Sequence, residues 1–298
     1  SAHLVSPFGA RGANSGFQDA DNLAWKLALA IDGRAPDALV ESYDQERTRA
    51  ADENLLNSTR STDFITPKSA VSRTFRDAVL QLAKWHPFAR RIVNSGRLSV
   101  PAVLADSPLN TPDRDPDFPS GPGEMIPGAP AADAPVSGPD GPWLLHYLER
   151  GFTLLAFGPV PPDAVARLAR GPIAVHVVQV GVPAAAGAVA ISDAEGLVAA
   201  RYAALPGTCY LLRPDQHVCA RWRAFDPARV RAAIARATSG GVPWRWSAET
   251  AWSSAASREP PVSPNSAKTT ASRSTPCRRT RVACARSPAR APGSASVS

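Results

Sequence analysis

Residues 1–31, SAHLVSPFGARGANSGFQDADNLAWKLALAI, constrain this chain more than any other stretch. Pro7-Phe8-Gly9-Ala10-Arg11-Gly12-Ala13 reads as a tight loop running straight into an amphipathic helix. Ser15 and Gln18 have the spacing of a capping box, and Asp19 and Asp21 bring negative charge to the first turns. Phe17, Ala20, Leu23, Ala24, Leu27, Ala28 and Ile31 recur at helical spacing and predict one buried apolar face. Gly33 suits the position just past a helix end, and Pro36 prevents the helix from continuing. Glycine lets backbone approach a ligand closely, and amides aimed outward from a helix N-terminus favour anions or electron-rich oxygens. On spacing alone the signal is weak, and a plain turn is the better explanation of the loop.

The rest of the chain divides by composition. Asp37 is placed to cap a second long helix running to about Asn57, with Leu39, Val40, Tyr43, Ala50, Ala51 and Leu55 as its apolar seam. Glu41, Asp44, Glu46, Arg47 and Arg49 read as a solvated charged face. A third helix is expected from about Ser72 to Trp85, broken at Pro87 and continued by Phe88 to Val93. Residues 101–142 are rich in Pro, Gly, Asp and Ser, which predicts a linker or a surface wrap rather than a core segment. From 143 to 239 the pattern becomes β-α-β, then a hairpin across Arg213-Pro214-Asp215-Gln216, then a helix opened by Asp226-Pro227. Residues 240–298 show no lasting period and are expected to be disordered, the product of a frame-shifted or otherwise aberrant reading.

Charge excludes one class of function. The chain holds 33 Lys/Arg and 26 Asp/Glu, but nine of the basic and two of the acidic residues lie from Gly240 onward. Residues 1–239 thus carry 24 of each sign, so the expected folded part has no general attraction for phosphate backbones, and nucleic acid is not an expected partner. No apolar run approaches the roughly 18 residues of a membrane span, and no basic-then-apolar leader follows Ser1, so a cytoplasmic protein without a membrane partner is expected. Cys209, Cys219, Cys277 and Cys284 form no C-x-x-C pair and are expected as reduced thiols. The histidines at 3, 86, 146, 176 and 217 are scattered, and neither H-E-x-x-H nor a P-loop is present, so no metal site is expected.

The full N-terminal string resembles the flavin-contacting segment of class A FAD-dependent aromatic monooxygenases of the phenol hydroxylase and 3-(3-hydroxyphenyl)propionate hydroxylase type. Ser1-Ala2-His3 resembles the end of the family's G-D-x-x-H motif; Pro7, Gly9, Gly12 and Asn14 match its loop; Gln18 to Leu27 match the helix Q-D-A-x-N-L-A-W-K-L. Tyr43-Asp44-Gln45-Glu46-Arg47 is similar to the family's Y-D-x-E-R, where packing of this helix on the flavin domain is implied.

The resemblance implies an α/β protein. Residues 1–100 would be the helical C-terminal segment of a Rossmann-type FAD-binding domain, 101–142 a linker, and 143–239 a thioredoxin-like domain lacking its dithiol, ahead of the basic tail. It implies FAD as cofactor, NAD(P)H and a small phenol-like aromatic as partners, and subunit contacts of a homodimer through the later helices. Cofactor contact falls to Pro7, Gly9, Arg11, Gly12, Ala13 and Asn14; His3 is read as structural, and no catalytic residue is assigned. A G-x-G-x-x-G pyrophosphate loop, the motif aspartate and the substrate-domain sheet are missing from these residues, so the chain is expected to be inactive alone. The alternative is a non-catalytic interaction or dimerisation module that retains a relic flavin loop.

Overall fold

The computed structural model describes residue 3 and residues 11–93, 101–121, 123–148 and 151–240. Helix α1, Arg11–Ile31, begins four residues before the predicted capping box, so Gly12, Ala13 and Asn14 are its first turn rather than a loop. Asp19 and Asp21 consequently lie beyond the first turn, which contains no acidic residue. Helix α2, Ala38–Ile65, runs eight residues past the expected end at Asn57, since no Gly or Pro intervenes before Pro67. Asp37 stands at its start without a side-chain capping bond. Helix α3, Ala70–Ala83, is capped by Ser69, whose hydroxyl accepts from the Ser72 N–H at 3.1 Å, and Pro87 opens the short α4, Pro87–Val93.

The C-terminal half is built on one five-stranded sheet. Its strands are β1 (Phe152–Ala156), β2 (Val175–Val180), β3 (Val189–Ile191), β4 (Cys209–Leu212) and β5 (Val218–Trp222), in the order β3-β2-β1-β4-β5. β1, β2 and β3 are parallel, while β4 runs antiparallel to both β1 and β5. Every residue of β1 is buried because both sheet faces are covered, which is why its sequence is almost continuously apolar. One face, with Leu154, Val177, Leu211 and Ala220, packs against α5 (Pro162–Ala169), α7 (Pro227–Thr238) and the α1 residues Trp25 and Leu29. The Asp226 carboxylate caps α7 by accepting from the N–H groups of Ala228 and Arg229. A short helix unforeseen in the sequence, α6 (Leu197–Arg201), follows Gly196, whose φ of 67° favours glycine, and the Asp193 carboxylate accepts from the N–H of Val198 and Ala199.

The opposite face, with Leu155, Val178, Tyr210 and Leu212, is covered by the proline-rich stretch. The expectation that this stretch stays out of the core is corrected: Leu104, Leu109, Phe118, Met125, Ala134 and Val136 are all buried. Proline lacks an N–H, so the wrap attaches through single backbone bonds instead of ladders, as from Thr111 N–H to the Cys219 carbonyl (2.8 Å) and Gly128 N–H to that of Val218 (2.7 Å). At Gly128, φ is 92° and any Cβ would collide with the Leu104 carbonyl, so the wrap closes on itself only with glycine there. Among the described residues no helix is long and apolar enough to cross a membrane. The expectation for the tail, with Cys277 and Cys284, lies outside the described residues.

Candidate functional site

The first turn of α1 is the candidate site. Helix geometry leaves first-turn N–H groups without an intrahelical acceptor, and Gly12 and Ala13 supply two of them here. That turn holds no carboxylate of its own to offset the positive end of the helix dipole. Gly12 is half-buried, while Ala13 and Asn14 are exposed. Pro7 and Gly9 lie outside the described residues, and of Arg11 only the helical backbone is described.

What holds this turn in place is α2. The Arg47 guanidinium donates to the Asp19 carboxylate at 2.6 Å and reaches the Ser15 carbonyl and the Gln18 side chain, both at 3.4 Å. Asn54 donates to the Ser15 hydroxyl at 3.4 Å. His3 lies 3.4 Å from the Asp19 carboxylate and 3.5 Å from the Thr48 hydroxyl, a packing position that suits its structural reading. Two sequence motifs, Q-D-A-D-N-L-A-W-K and Y-D-Q-E-R, thus interlock side chain to side chain.

One turn further along α1 sits a buried cluster of four charges. Glu46 accepts from Lys26 (2.7 Å), Asn22 (2.8 Å), the Arg213 guanidinium (2.5 and 3.1 Å) and the Ser107 hydroxyl. Arg213 also donates to Asp215, at 2.9 and 2.5 Å, and Asn22 donates to the same carboxylate at 2.9 Å. Lys26, Glu46 and Arg213 have side chains at 0% exposure and Asp215 at 1%, so two cations and two anions neutralise each other away from water. The Trp25 indole lies beside this cluster, with the Lys26 ammonium 5.8 Å and the Arg213 guanidinium 5.4 Å from its ring, and meets Phe152 edge-on at 5.8 Å.

Burial and pairing oppose each other at these groups. Burial lowers Lys26 more than Glu46 raises it, which brings the ammonium down to about 8 from 10.5. For Glu46, burial pushes upward, but the Arg213 and Lys26 charges outweigh it and hold the carboxyl well below its usual range. Asp215 is likewise held low: burial acts upward and the Arg213 charge overrides it. The geometry ties α1, α2 and the β4–β5 hairpin at one point, two to three helical turns along α1 from the candidate turn.

Two sequence expectations are overturned here. Glu46 and Arg47 are not part of a solvated face; both are 2% exposed. The predicted apolar face of α1 is largely outward, with Phe17 at 74% and Ile31 at 63% exposure, whereas Ser15, Asp19, Asn22, Trp25, Lys26 and Leu29 are buried. Periodicity identified the stripe but could not say what it packs on. Arg213 and Asp215, read only as turn residues, are the buried members of this cluster that sequence reasoning missed; a lone charged pair in a hairpin turn carries no sequence signal of its remote partner. The reduced state expected for Cys209 and Cys219 agrees with two free, buried thiols, pushed up by burial to about 12 and therefore poor nucleophiles.

Residues 1–58 match a family described as FAD binding domain. The 3-(3-hydroxy-phenyl)propionate/3-hydroxycinnamic acid hydroxylase of Escherichia coli is 40% identical over 90 residues, which are 30% of this chain and 16% of the relative. Among solved structures, the flavin-dependent monooxygenase PieE in complex with FAD and substrate aligns with a TM-score of 0.56 and 23% identity, over 78% of this chain and 45% of that one. Aklavinone-11 hydroxylase in a ternary complex with FAD and aklavinone aligns with a TM-score of 0.55 and 22% identity, over 78% and 41%. The rebeccamycin biosynthetic enzyme RebC with reduced flavin aligns with a TM-score of 0.55 and 23% identity, over 80% and 43%. At these identities the likeness speaks for the fold. The chain spans about a sixth of the hydroxylase's length and under half of each solved structure.

Proposed function

We propose that this chain is the C-terminal portion of an FAD-dependent monooxygenase that hydroxylates a phenol-like aromatic with NAD(P)H and O2. The observation that carries the reading is the first turn of α1, a helix N-terminus without a carboxylate in its first turn, inside the stretch that matches the FAD binding domain family. Pro7, Gly9, Arg11, Gly12, Ala13 and Asn14 are the residues that would contact the flavin. The N–H groups of Gly12 and Ala13 would meet its electron-rich pyrimidine edge, where negative charge grows on reduction. When bound, FAD supplies the redox and oxygen chemistry; this chain's part is to hold that edge and position it.

Residues 1–100 are then the last part of the flavin domain, 101–142 its connection, and 143–239 a thioredoxin-like domain. A β-α-β unit, an antiparallel hairpin and a closing helix support that last assignment. Its function is mechanical: Arg213 and Asp215 lock α1 onto α2. A second reading, an assembly module or homodimer contact, draws on the exposed Val71, Phe75, Trp85 and Phe88 on and beside α3 and α4.

Micromolar FAD binding needs about 8 kcal/mol, while a helix end contributes roughly 0.3–1 kcal/mol per charge and each hydrogen bond about 1 kcal/mol. The purified chain is therefore expected to stay colourless after mixing with FAD and desalting; stoichiometric yellow protein would contradict the partial-enzyme reading. Sequencing the coding DNA upstream tests the larger proposal. A frame continuing into a strand followed by G-x-G-x-x-G is expected, and its product should carry FAD and oxidise NAD(P)H faster with phenolic acids. A longer product that purifies without flavin overturns it.

A further inference from the structure

Between α5 and α7, on the sheet face away from the proline-rich wrap, lies a cavity of about 270 Å³ that the flavin reading does not use. Ala164, Leu168, Ile173 and Ile234 give it an apolar floor, and Gly171 and Ala235 leave room where larger side chains would fill it. Two arginines, Arg167 and Arg231, are among its lining residues. Arg231 makes no ion pair or hydrogen bond among the described residues, and Arg167 pairs only with Asp163, at 2.7 Å, in an exposed contact. Such a surface pair is weak and yields readily to a better acceptor. The lip is braced from the α1–α2 corner, where Arg34 donates twice to the Pro172 carbonyl, at 3.1 and 2.5 Å.

We propose that this cavity binds a small carboxylic acid, its apolar body on the floor and its carboxylate between Arg167 and Arg231. The chemistry selects one class. An apolar floor rejects polar solutes because they would lose water without compensation. Two cations beside an apolar slot favour a single anionic head, and guanidinium matches carboxylate with paired donors. The volume lies below the roughly 300 Å³ at which drug-sized pockets begin, which limits the body to one ring or a medium chain. The site does not depend on FAD.

Calorimetric titration of the full chain with 4-phenylbutanoate, octanoate and the neutral 4-phenylbutanamide tests it. Saturable binding of at least one acid is expected, with the amide about tenfold weaker or more, the ratio that one charge-assisted bond supplies. A preference for phenylbutanoate or for octanoate assigns an aromatic or a fatty acid; either supports the site. Arg231→Gln, at an exposed position, is expected to weaken the acid about tenfold and leave the amide unchanged. Ala235→Trp should abolish binding of both by filling the cavity, with circular dichroism verifying the fold of each variant. Equal affinity for acid and amide, acid binding unaltered in both variants, or no saturable binding by about 10 mM would overturn the proposal.

Discussion

Helix α1 buries one face and strand β1 is buried throughout, yet the two are buried in opposite chemical senses. β1 is apolar but for Thr153 and meets apolar side chains on both faces, with Leu154 in one core cluster and Leu155 in the other. α1 turns Asp19, Asn22 and Lys26 inward and leaves Phe17, Leu27 and Ile31 outward. Apolar packing is non-directional and tolerates repacking when volume is kept. A buried charge cluster depends on every partner, since removing one strands another without water. The sheet therefore supplies bulk stability, and the cluster supplies one specific arrangement of α1 behind its candidate turn.

The largest expected effect breaks the cluster at its centre. Glu46→Ala leaves Lys26 and Arg213 facing the single carboxylate of Asp215 and is expected to cost about 3–5 kcal/mol in urea unfolding. Lys26→Met combined with Glu46→Leu removes one charge of each sign. It should cost less than the two single changes summed, with a coupling of roughly 1–3 kcal/mol. Additive behaviour would mean that the cluster is no more cooperative than the sheet. Leu154→Ala, which opens a cavity in a fully buried strand, is expected to cost about 2–5 kcal/mol without changing how stability depends on pH.

That pH dependence sharpens the contrast. Lys26 titrates at about 8 in the folded chain against 10.5 as its ordinary value, so between those values the unfolded chain binds more protons and this group's contribution rises with pH. Glu46 and Asp215 are depressed, so their stabilisation is present above 4.5 and 3.8 and drains away as pH falls below those values. Stability curves of the wild type and Lys26→Met should diverge in slope from pH 8 upward; parallel curves would refute the depressed ammonium. Buried Cys209 and Cys219, raised to about 12 from 9, pull the other way above pH 9 in both proteins and cancel in the comparison. The smallest expected effect is outside both regions: Asp226→Ala removes the α7 cap and should cost about 1 kcal/mol by thermal unfolding.

Local rules made much of the molecule legible in advance. Short apolar runs bounded by turns located β1, β2 and the β4–β5 hairpin, and Asp226-Pro227 located the start of α7, because strand propensity, turn chemistry and capping act over a few residues. The same rules read Ser15 and Gln18 as a cap and misplaced the start of α1 by one turn. The match of residues 1–58 to the FAD binding domain family was also visible, since it resides in residue types at fixed spacing.

Tertiary structure alone decided which charges are buried. Glu46 and Asp44 look alike in a helical charged stripe, but only Glu46 meets Arg213, 167 residues away, and is desolvated with it. Likewise only the fold brought Arg167 and Arg231 to one cavity, and proline-rich chain over an apolar sheet face. A sequence specifies what each residue costs to bury; whether a compensating partner arrives is set by where distant segments pack.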